Sequence, residues 1–367
     1  MTSAPETDRS STITRLAARQ LNVPVEEVNV TKLTGDASSR SYLRAEADSS
    51  SVIAAVYSEA FDENELAVAR LARNEVTNPS ARLTFANDPC AHIEVTALLV
   101  EAGLPVPKVL AVSGADAVLL FEDVGDLRLQ DWLSEGRSDA DVVDAYRLAL
   151  EFAVRIQDAT ELALGADSIC SHLAFDEAKL RWELGFFFAN YFNRYLHLRL
   201  DPATSNAVQA DFKALCSELA GRPRVLTHRD YHARNLMMRR GEMFIIDHQD
   251  ARMGPVSYDL ASLLSDPYTA LPEDAIEELI ARFVAIKSCS KLPLGSVDAF
   301  RTELDLMTVQ RMLKAIGTYS SQAASGNPVY VEYITPALER AMAAMKRLNR
   351  FQASCDLLEQ TRAGQKS

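Results

Sequence analysis

Apolar and polar residues alternate in the first third of the chain, and this pattern predicts β-strands. The runs NVTKL, SYLRAEA and SVIAAVY lie between Asn29 and Tyr57 and are separated by polar turns, as in three antiparallel strands. A helix that ends at Gly103 follows, and then two further strand-like runs, VLAV and AVLLFEDVGD. Residues 13–125 are therefore predicted to form a small lobe of about five strands and one main helix.

Beyond Asp126 apolar residues recur at three- and four-residue steps, which predicts a mostly helical lobe over residues 126–367. Aromatic residues crowd between Phe186 and Phe192, and we interpret them as helix core. The polar start, residues 1–12, lacks the basic-then-apolar order of a signal peptide and predicts a disordered tail. The pattern as a whole favours an α+β protein with two lobes.

Composition narrows the classes of function. The 367 residues carry a formal net charge of −13, which argues against binding to nucleic acid or to an anionic membrane. Five scattered cysteines without a C-x-x-C pair indicate reduced thiols, and we expect a cytoplasmic location. No apolar run is long enough to span a bilayer. The oligomeric state is left open.

Residues 225–250, VLTHRDYHARNLMMRRGEMFIIDHQD, carry the candidate chemistry. A first apolar run, Val225-Leu226, leads to Asp230; Asn235 follows five residues later, and a turn and a second apolar run lead to Asp247. A turn between two apolar runs predicts a hairpin, which would bring Asp230, Asn235 and Asp247 to one end. Phosphoryl transfer needs such a set: one carboxylate to accept a hydroxyl proton, and an Asn and an Asp to hold Mg²⁺ on nucleotide phosphates.

The spacing H-R-D-x-x-x-x-N matches the kinase catalytic loop, so the sequence predicts a kinase. A lone Asp beside a hairpin is commonly a turn residue, but its place between strand-like runs favours the catalytic interpretation. On that interpretation the first hairpin turn, GDASSR, covers the nucleotide phosphates. Its candidate contacts are Gly35, Ser38, Ser39 and Arg40.

These segments resemble the aminoglycoside phosphotransferase-like branch of the protein kinase-like fold, and within it the bacterial anomeric N-acetylmuramate/N-acetylglucosamine kinases of cell-wall recycling. The matching pieces, spread from residue 35 to about residue 323, are GDASSRSYLR, GLPVPKVL, LLFEDVGD, HRDYHARNLM, IIDHQDARMGPVSYDLASLLSDPY and QRMLKAIGTYSSQA. The resemblance implies a bilobal fold with a small antiparallel-sheet N-lobe and a mostly helical C-lobe. It also implies ATP and Mg²⁺ as cofactors and a small-molecule sugar as substrate.

Residue by residue, the resemblance implies Asp230 as the catalytic base, Asn235 and Asp247 as Mg²⁺ ligands, and Glu122-Asp123 as the adenine hinge. His232 stands where protein kinases usually carry Lys, which counts against a protein substrate. Candidate substrate contacts are His232, His248, Gln249 and Asp250. The family typically shows an aromatic residue before that Gln, so His248 departs from it, either as polar lining of the sugar site or as a packing residue.

A second departure is the lack of a Lys in the third strand, where kinases usually carry the Lys that pairs with the nucleotide phosphates and a helix Glu. Glu94 stands where the partner carboxylate is expected, and Arg40 or Lys32 could supply the charge. Asp259 could cap a helix or anchor the catalytic loop from beneath. The cations Arg252, Arg311 and Lys314 could contact a carboxylated sugar, although each one alone is more typical of a solvated helix face.

Two other functions stay open. The acceptor could be another small hydroxyl compound (another sugar, an aminoglycoside or a choline-like molecule), and the charge of −13 permits the acidic pocket that a cationic acceptor needs. Alternatively, the missing Lys favours a nucleotide-binding pseudokinase. The intact set of Asp230, Asn235 and Asp247 weighs against the pseudokinase, because a binding module needs neither a base nor two metal ligands.

Overall fold

The computed structural model describes residues 6–33, 40–78, 80, 82 and 88–364. The predicted phosphate contacts Gly35, Ser38 and Ser39 lie outside the described residues. The chain packs as two compact units, which we call unit 1 and unit 2. Unit 1 comprises Met1–Leu129, Glu161–His172 and Asn235–Ala251, and unit 2 comprises Gln130–Thr160, Leu173–Arg234 and Arg252–Ser367.

Unit 1 contains an antiparallel sheet in which the described strands follow the order β1-β2-β3-β5-β4. Their bounds are Asn29–Lys32 (β1), Ser41–Ala47 (β2), Ser50–Val56 (β3), Val109–Ser113 (β4) and Val118–Glu122 (β5). Alternating apolar side chains point into one core, where Ala45, Val52 and Leu120 are buried. The predicted strand-rich lobe is confirmed in its strands.

Helix α1, Glu6–Leu21, corrects the prediction of a disordered tail, because it includes residues 6–12. Ile13 and Ala17, one turn apart, are buried against the sheet core. The Thr12 hydroxyl donates to Asp116 Oδ2 at 2.9 Å. Packing against distant strands therefore stabilises a segment whose composition alone indicated a tail.

Other described helices of unit 1 are α2 (Ala67–Thr77), α3 (Pro89–Glu101) and α7 (Ile169–His172). The sequence predicted one main helix beside the sheet. Helix α3 is that main helix. It begins at a cap in which Asp88 Oδ1 accepts from the backbone N–H of Cys90 at 2.9 Å and of Ala91 at 3.1 Å.

Unit 2 is mainly helical. Its helices are α4 (Leu129–Ser134, whose first residue belongs to unit 1), α5 (Asp139–Asp158), α8 (Glu177–Phe187), α9 (Pro202–Ala220), α10 (Tyr258–Leu264), α11 (Glu273–Ser288), α12 (Val297–Ala324), α13 (Ile334–Leu348) and α14 (Gln352–Gly364), with the short α6 (Thr160–Gly165) at its border and a π-helical segment at Phe188–Tyr195.

Helix α12 runs through the core of unit 2 and passes close to α8. A Cβ atom at Gly317 would lie 2.7 Å from the Cα of Phe187, so only glycine permits this approach. Phe187, Tyr191 and Phe192 are buried, in agreement with their interpretation as core, whereas Phe186 and Phe188 are only partly buried. Among the described helices, none is long and apolar enough to cross a membrane.

The strands around the catalytic motif differ from the predicted hairpin. The first apolar run forms β6 (Arg224–Thr227), which pairs with β9 (Arg252–Pro255) and not with the second run. The hairpin is instead made by β7 (Leu236–Arg239) and β8 (Glu242–Ile245). Its loop residues Arg240 and Gly241 both have positive φ, 53° and 84°, which suits the tight turn between directly adjacent strands. The local turn therefore decided the pairing.

Candidate active site

The loop that follows β6 in unit 2 is fixed from beneath by Asp259, in the first turn of α10. Its carboxylate accepts from the backbone N–H of His228 at 2.7 Å and of Arg229 at 3.1 Å. Arg229 has a φ of 85°, a left-handed conformation that costs energy unless neighbouring contacts hold it. Asp259 is fully buried, and burial raises its pKa. Of the two predicted roles of Asp259, helix cap and anchor of the loop, these hydrogen bonds support the anchor.

A second carboxylate, Asp266, also holds this loop, and the sequence analysis missed it. Its Oδ2 accepts from the Ala233 backbone N–H at 2.9 Å, and its Oδ1 accepts from that of Tyr268 at 2.8 Å. Burial raises the pKa of Asp266 to about 6. The signal available in the sequence was only an Asp after an apolar helix, which is ordinary turn chemistry.

The predicted base, Asp230, lies between these anchor points and is paired with two cations of α12. Arg311 Nη2 donates to its Oδ1 at 3.2 Å, and Lys314 Nζ donates to the same oxygen at 3.0 Å. Burial alone would raise the pKa of Asp230, but Lys314, Arg229 and Arg311 hold it well below its usual range. The side chain keeps 22% of its surface exposed. Asp230 is therefore an ionised, rigidly held carboxylate that solvent can reach.

Arg311 and Lys314 do not lie on a solvated helix face. This corrects the interpretation that the sequence favours for each of them taken alone. Arg311 is buried, and its Nη1 donates to the Tyr258 hydroxyl at 2.7 Å. His232 lies edge-on to Tyr268, with ring centroids 5.4 Å apart. Burial lowers the pKa of His232 to about 3, so its imidazole is neutral near pH 7.

The two predicted metal ligands, Asn235 and Asp247, flank the open end of the β7–β8 hairpin in unit 1. Ile246 N–H donates to Asn235 O at 3.0 Å, next to the last rung of the hairpin. Asp247 adopts a left-handed conformation with a φ of 63°. Its Oδ1 accepts from Arg40 Nη2 at 3.1 Å and from Gln249 Nε2 at 2.9 Å. Local pairing thus brings the backbones of Asn235 and Asp247 to the same end of the hairpin.

The third strand lacks a Lys, and its expected helix partner is engaged elsewhere. Glu94 Oε1 accepts from the Ser168 hydroxyl at 2.7 Å and from the Ile169 backbone N–H at 2.5 Å, so it holds the start of α7. Of the two candidate cations, Arg40 is buried and paired with Asp247, whereas Lys32 is exposed on strand β1. Of the two candidates for the cation that replaces the missing Lys, the burial and pairing of Arg40 therefore favour Arg40.

The remaining predicted residues of unit 1 are mostly buried. His248 Nε2 shares a hydrogen bond of 2.7 Å with the Thr96 hydroxyl, which favours the packing alternative. Gln249 and Asp250 are buried as well. The Asp123 carboxylate accepts from Arg44 Nε and from the Ser51 hydroxyl, both at 2.7 Å, and so ties β2 and β3 to the end of β5.

Glu122 is the last residue of β5, and its backbone N–H donates to Lys108 O at 3.0 Å. Its side chain is partly exposed. Because the Asp123 side chain is engaged in holding strands together, any role of this segment as an adenine hinge falls to the backbone of Glu122 and Asp123.

Comparison with known proteins gives a consistent family. Residues 29–288 match the model of the phosphotransferase enzyme family. The N-acetylmuramate/N-acetylglucosamine kinase of Pseudomonas aeruginosa is 33% identical over 245 residues, which cover 65% of this chain and 68% of that protein. The predicted resemblance is confirmed by both findings.

Solved structures agree on the fold. A choline kinase from Cryptosporidium parvum superposes with a TM-score of 0.58 at 12% identity and covers 97% of each chain. An amicoumacin kinase in complex with AMP-PNP and Ca²⁺ superposes with a TM-score of 0.54 at 16% identity, covering 85% of this chain and 88% of that one. The predicted protein kinase-like fold is confirmed.

Proposed function

Because this chain belongs to the phosphotransferase enzyme family, we propose that it is an ATP-dependent kinase that phosphorylates the anomeric hydroxyl of N-acetylmuramate or N-acetylglucosamine. One observation carries the proposal most: Asp230 is an ionised carboxylate, anchored on both sides and partly open to solvent. A hydroxyl acceptor needs such a group. The similarity to the P. aeruginosa sugar kinase supports the class of acceptor.

In the proposed reaction Asp230 accepts a hydrogen bond from the sugar hydroxyl and orients its oxygen towards the γ-phosphoryl group of ATP. It takes the proton as the bond from that oxygen to phosphorus forms, while the bond from phosphorus to the bridging oxygen breaks and ADP leaves. Arg311 and Lys314 hold the carboxylate in place on one side. The anchors Asp259 and Asp266 fix the loop backbone. Catalysis of this kind relies mainly on positioning and charge, because the protein forms no covalent bond to the phosphoryl group.

Asn235 and Asp247 would hold Mg²⁺ with ATP. Their amide and carboxylate oxygens suit this ion, which keeps several waters and takes one or two carboxylates together with nucleotide phosphates. The described residues contain no group of three or more His, Cys, Asp or Glu side chains that could hold a metal by themselves, so nucleotide oxygens would complete the shell. The bound ion would neutralise charge on the phosphates. Gly35, Ser38 and Ser39 are proposed to cover the phosphates, and the backbone of Glu122 and Asp123 to bind adenine.

Arg40→Ala is expected to raise the KM for ATP about 10-fold or more, whereas Lys32→Ala should change it less than about 2-fold. Arg40 is a buried cation beside Asp247, and phosphates bound in an acidic protein need such a counter-charge. Lys32 is exposed and serves as the matched control from the same sheet. Steady-state kinetics with varied Mg-ATP measure both variants. Small, equal effects would show that the charge comes from another group.

The surroundings of Asp230 argue against a cationic acceptor such as choline or an aminoglycoside. Arg311 and Lys314 already neutralise this carboxylate. Nearby, the guanidinium of Arg234 lies over the rings of Tyr268 and Tyr330, 4.8 Å and 5.4 Å from their centroids. The aromatic faces that could attract the cation of a ligand are therefore already covered by a cation of the protein itself. The missing Lys of the third strand favours a pseudokinase, but the proposed base Asp230 is present and ionised, which weighs against it.

Incubation with Mg-ATP and a panel of acceptors tests the proposal. We expect ADP release with N-acetylmuramate and N-acetylglucosamine, and little with glucose, glucosamine, choline or kanamycin. Release with kanamycin or choline alone would replace the sugar by a cationic acceptor. Tight binding of Mg-ATP without release above background for any acceptor would favour the pseudokinase.

A further inference from the structure

The positive charge around Asp230 exceeds the single negative charge of its carboxylate. We call Arg229, Arg311 and Lys314 the basic cluster. Lys314 Nζ and Arg311 Nη2 lie 3.0 Å and 3.2 Å from Asp230 Oδ1, and Arg229 Nε lies 3.8 Å from its Oδ2. Three cations thus share one carboxylate in unit 2, although the whole chain carries a net charge of −13.

One neighbouring carboxylate, Glu183, offsets part of this excess because its charge also acts on the three cations of the basic cluster, but it is shared with a fourth cation, Lys179. Glu183 is buried and has its own partners: Lys179 Nζ lies 3.4 Å from its Oε1, and Gln310 Nε2 donates to its Oε2 at 2.7 Å. Asp259 accepts from two backbone N–H groups of the catalytic loop. Buried and partly buried charges interact strongly because the surrounding dielectric is low, so an anion beside the cluster would be stabilised.

Lys314 is the member of the cluster that a ligand can best reach. Its side chain keeps 19% of its surface exposed, against 16% for Arg229 and 5% for Arg311. The guanidinium of Arg311 is fixed between the Tyr258 hydroxyl and Asp230. The ammonium of Lys314 has three donors on a flexible stem and can therefore serve a second acceptor while it stays near Asp230.

We propose that Lys314, supported by Arg311, binds a carboxylate of the acceptor and makes this kinase prefer an acidic amino sugar to a neutral one. The inference rests on the proposed function and specifies the acceptor further. N-acetylmuramate carries a lactyl carboxylate that N-acetylglucosamine lacks. Lys314 would then be a specificity-determining residue that bridges the catalytic base and the substrate.

A comparison of two residues at position 314 with two charge states of the sugar tests this directly. The acceptors are N-acetylmuramate and its carboxyl methyl ester, which differ in one negative charge and little in shape. The wild-type enzyme should have the higher kcat/KM for the acid. In Lys314→Gln both values should fall because Lys314 also contacts Asp230, but the ratio of acid to ester should fall a further ~10- to 100-fold.

Two variants serve as controls. Lys314→Arg keeps the charge and should retain most of the preference for the acid. Lys213→Gln removes an exposed lysine of helix α9 and should leave the ratio unchanged. If Lys314→Gln lowers the kcat/KM for acid and ester by the same factor, Lys314 serves only to position Asp230 and the inference is wrong. If the wild-type enzyme phosphorylates neither these sugars nor N-acetylglucosamine, the proposed function itself fails.

Discussion

Asp230→Asn is expected to lower kcat by about 10²- to 10⁴-fold, the usual loss when a positioned general base is removed. The amide cannot take the proton of the acceptor hydroxyl. It keeps a side-chain oxygen near Arg311 and Lys314, the two cations that hold the carboxylate, so the fold and Mg-ATP binding should persist. Turnover with N-acetylglucosamine, nucleotide affinity and thermal unfolding would be measured on the same preparation.

The matched control is Asp274→Asn, which makes the same chemical change at an exposed position of helix α11 in the same unit. It should behave as the wild type. A folded Asp230→Asn variant that turns over at nearly the wild-type rate would remove Asp230 from the mechanism, however well its geometry suits a base.

Asp247→Ala should lower kcat/KM for Mg-ATP by about 10²-fold or more, since the proposed Mg²⁺ ligand would be lost, and with it electrostatic stabilisation of the phosphates. The loss should be specific to the metal: we expect Mg²⁺ to raise the nucleotide affinity of the wild type and to change that of the variant only weakly. Arg40 and Gln249 both donate to this carboxylate, so the mutation also releases two neighbours.

Glu101→Ala, at an exposed acid on helix α3 of the same unit, is the control for a general loss of negative charge. Nucleotide titrations with and without Mg²⁺ discriminate the outcomes. If the Asp247→Ala variant retains the full Mg²⁺ dependence, the metal is held by other groups.

The sequence predicted those features of the fold around the candidate site that depend on local structure. Asn235 and Asp247 flank a hairpin whose tight turn, Arg240-Gly241, is determined by four neighbouring residues. The alternation of apolar and polar residues along the strands of unit 1 also predicted these strands correctly, because one face of each strand packs on the core. The same reasoning from neighbouring segments predicted the wrong strand as the pairing partner of β6. Its pairing with β9 depends on the path of the chain between the two strands.

Contacts between distant positions could not be predicted in this way. Lys314 reaches Asp230 across 84 positions, and Arg40 reaches Asp247 across 207. In the sequence these are ordinary cations, and only the packing of helix α12 and strand β2 gives them partners. Helix α1 shows the same limit: its polar composition indicates a tail, and burial of Ile13 and Ala17 against strands far along the chain stabilises it.

The proposed reaction transfers a phosphoryl group from ATP to the anomeric oxygen of an N-acetylated amino sugar. Phosphorus and proton NMR of the product formed from N-acetylglucosamine and Mg-ATP tests it most directly. We expect a sugar phosphate whose phosphorus couples to the proton on C1. A phosphorus coupled to the protons on C6, or ADP formed without any sugar phosphate, would contradict it.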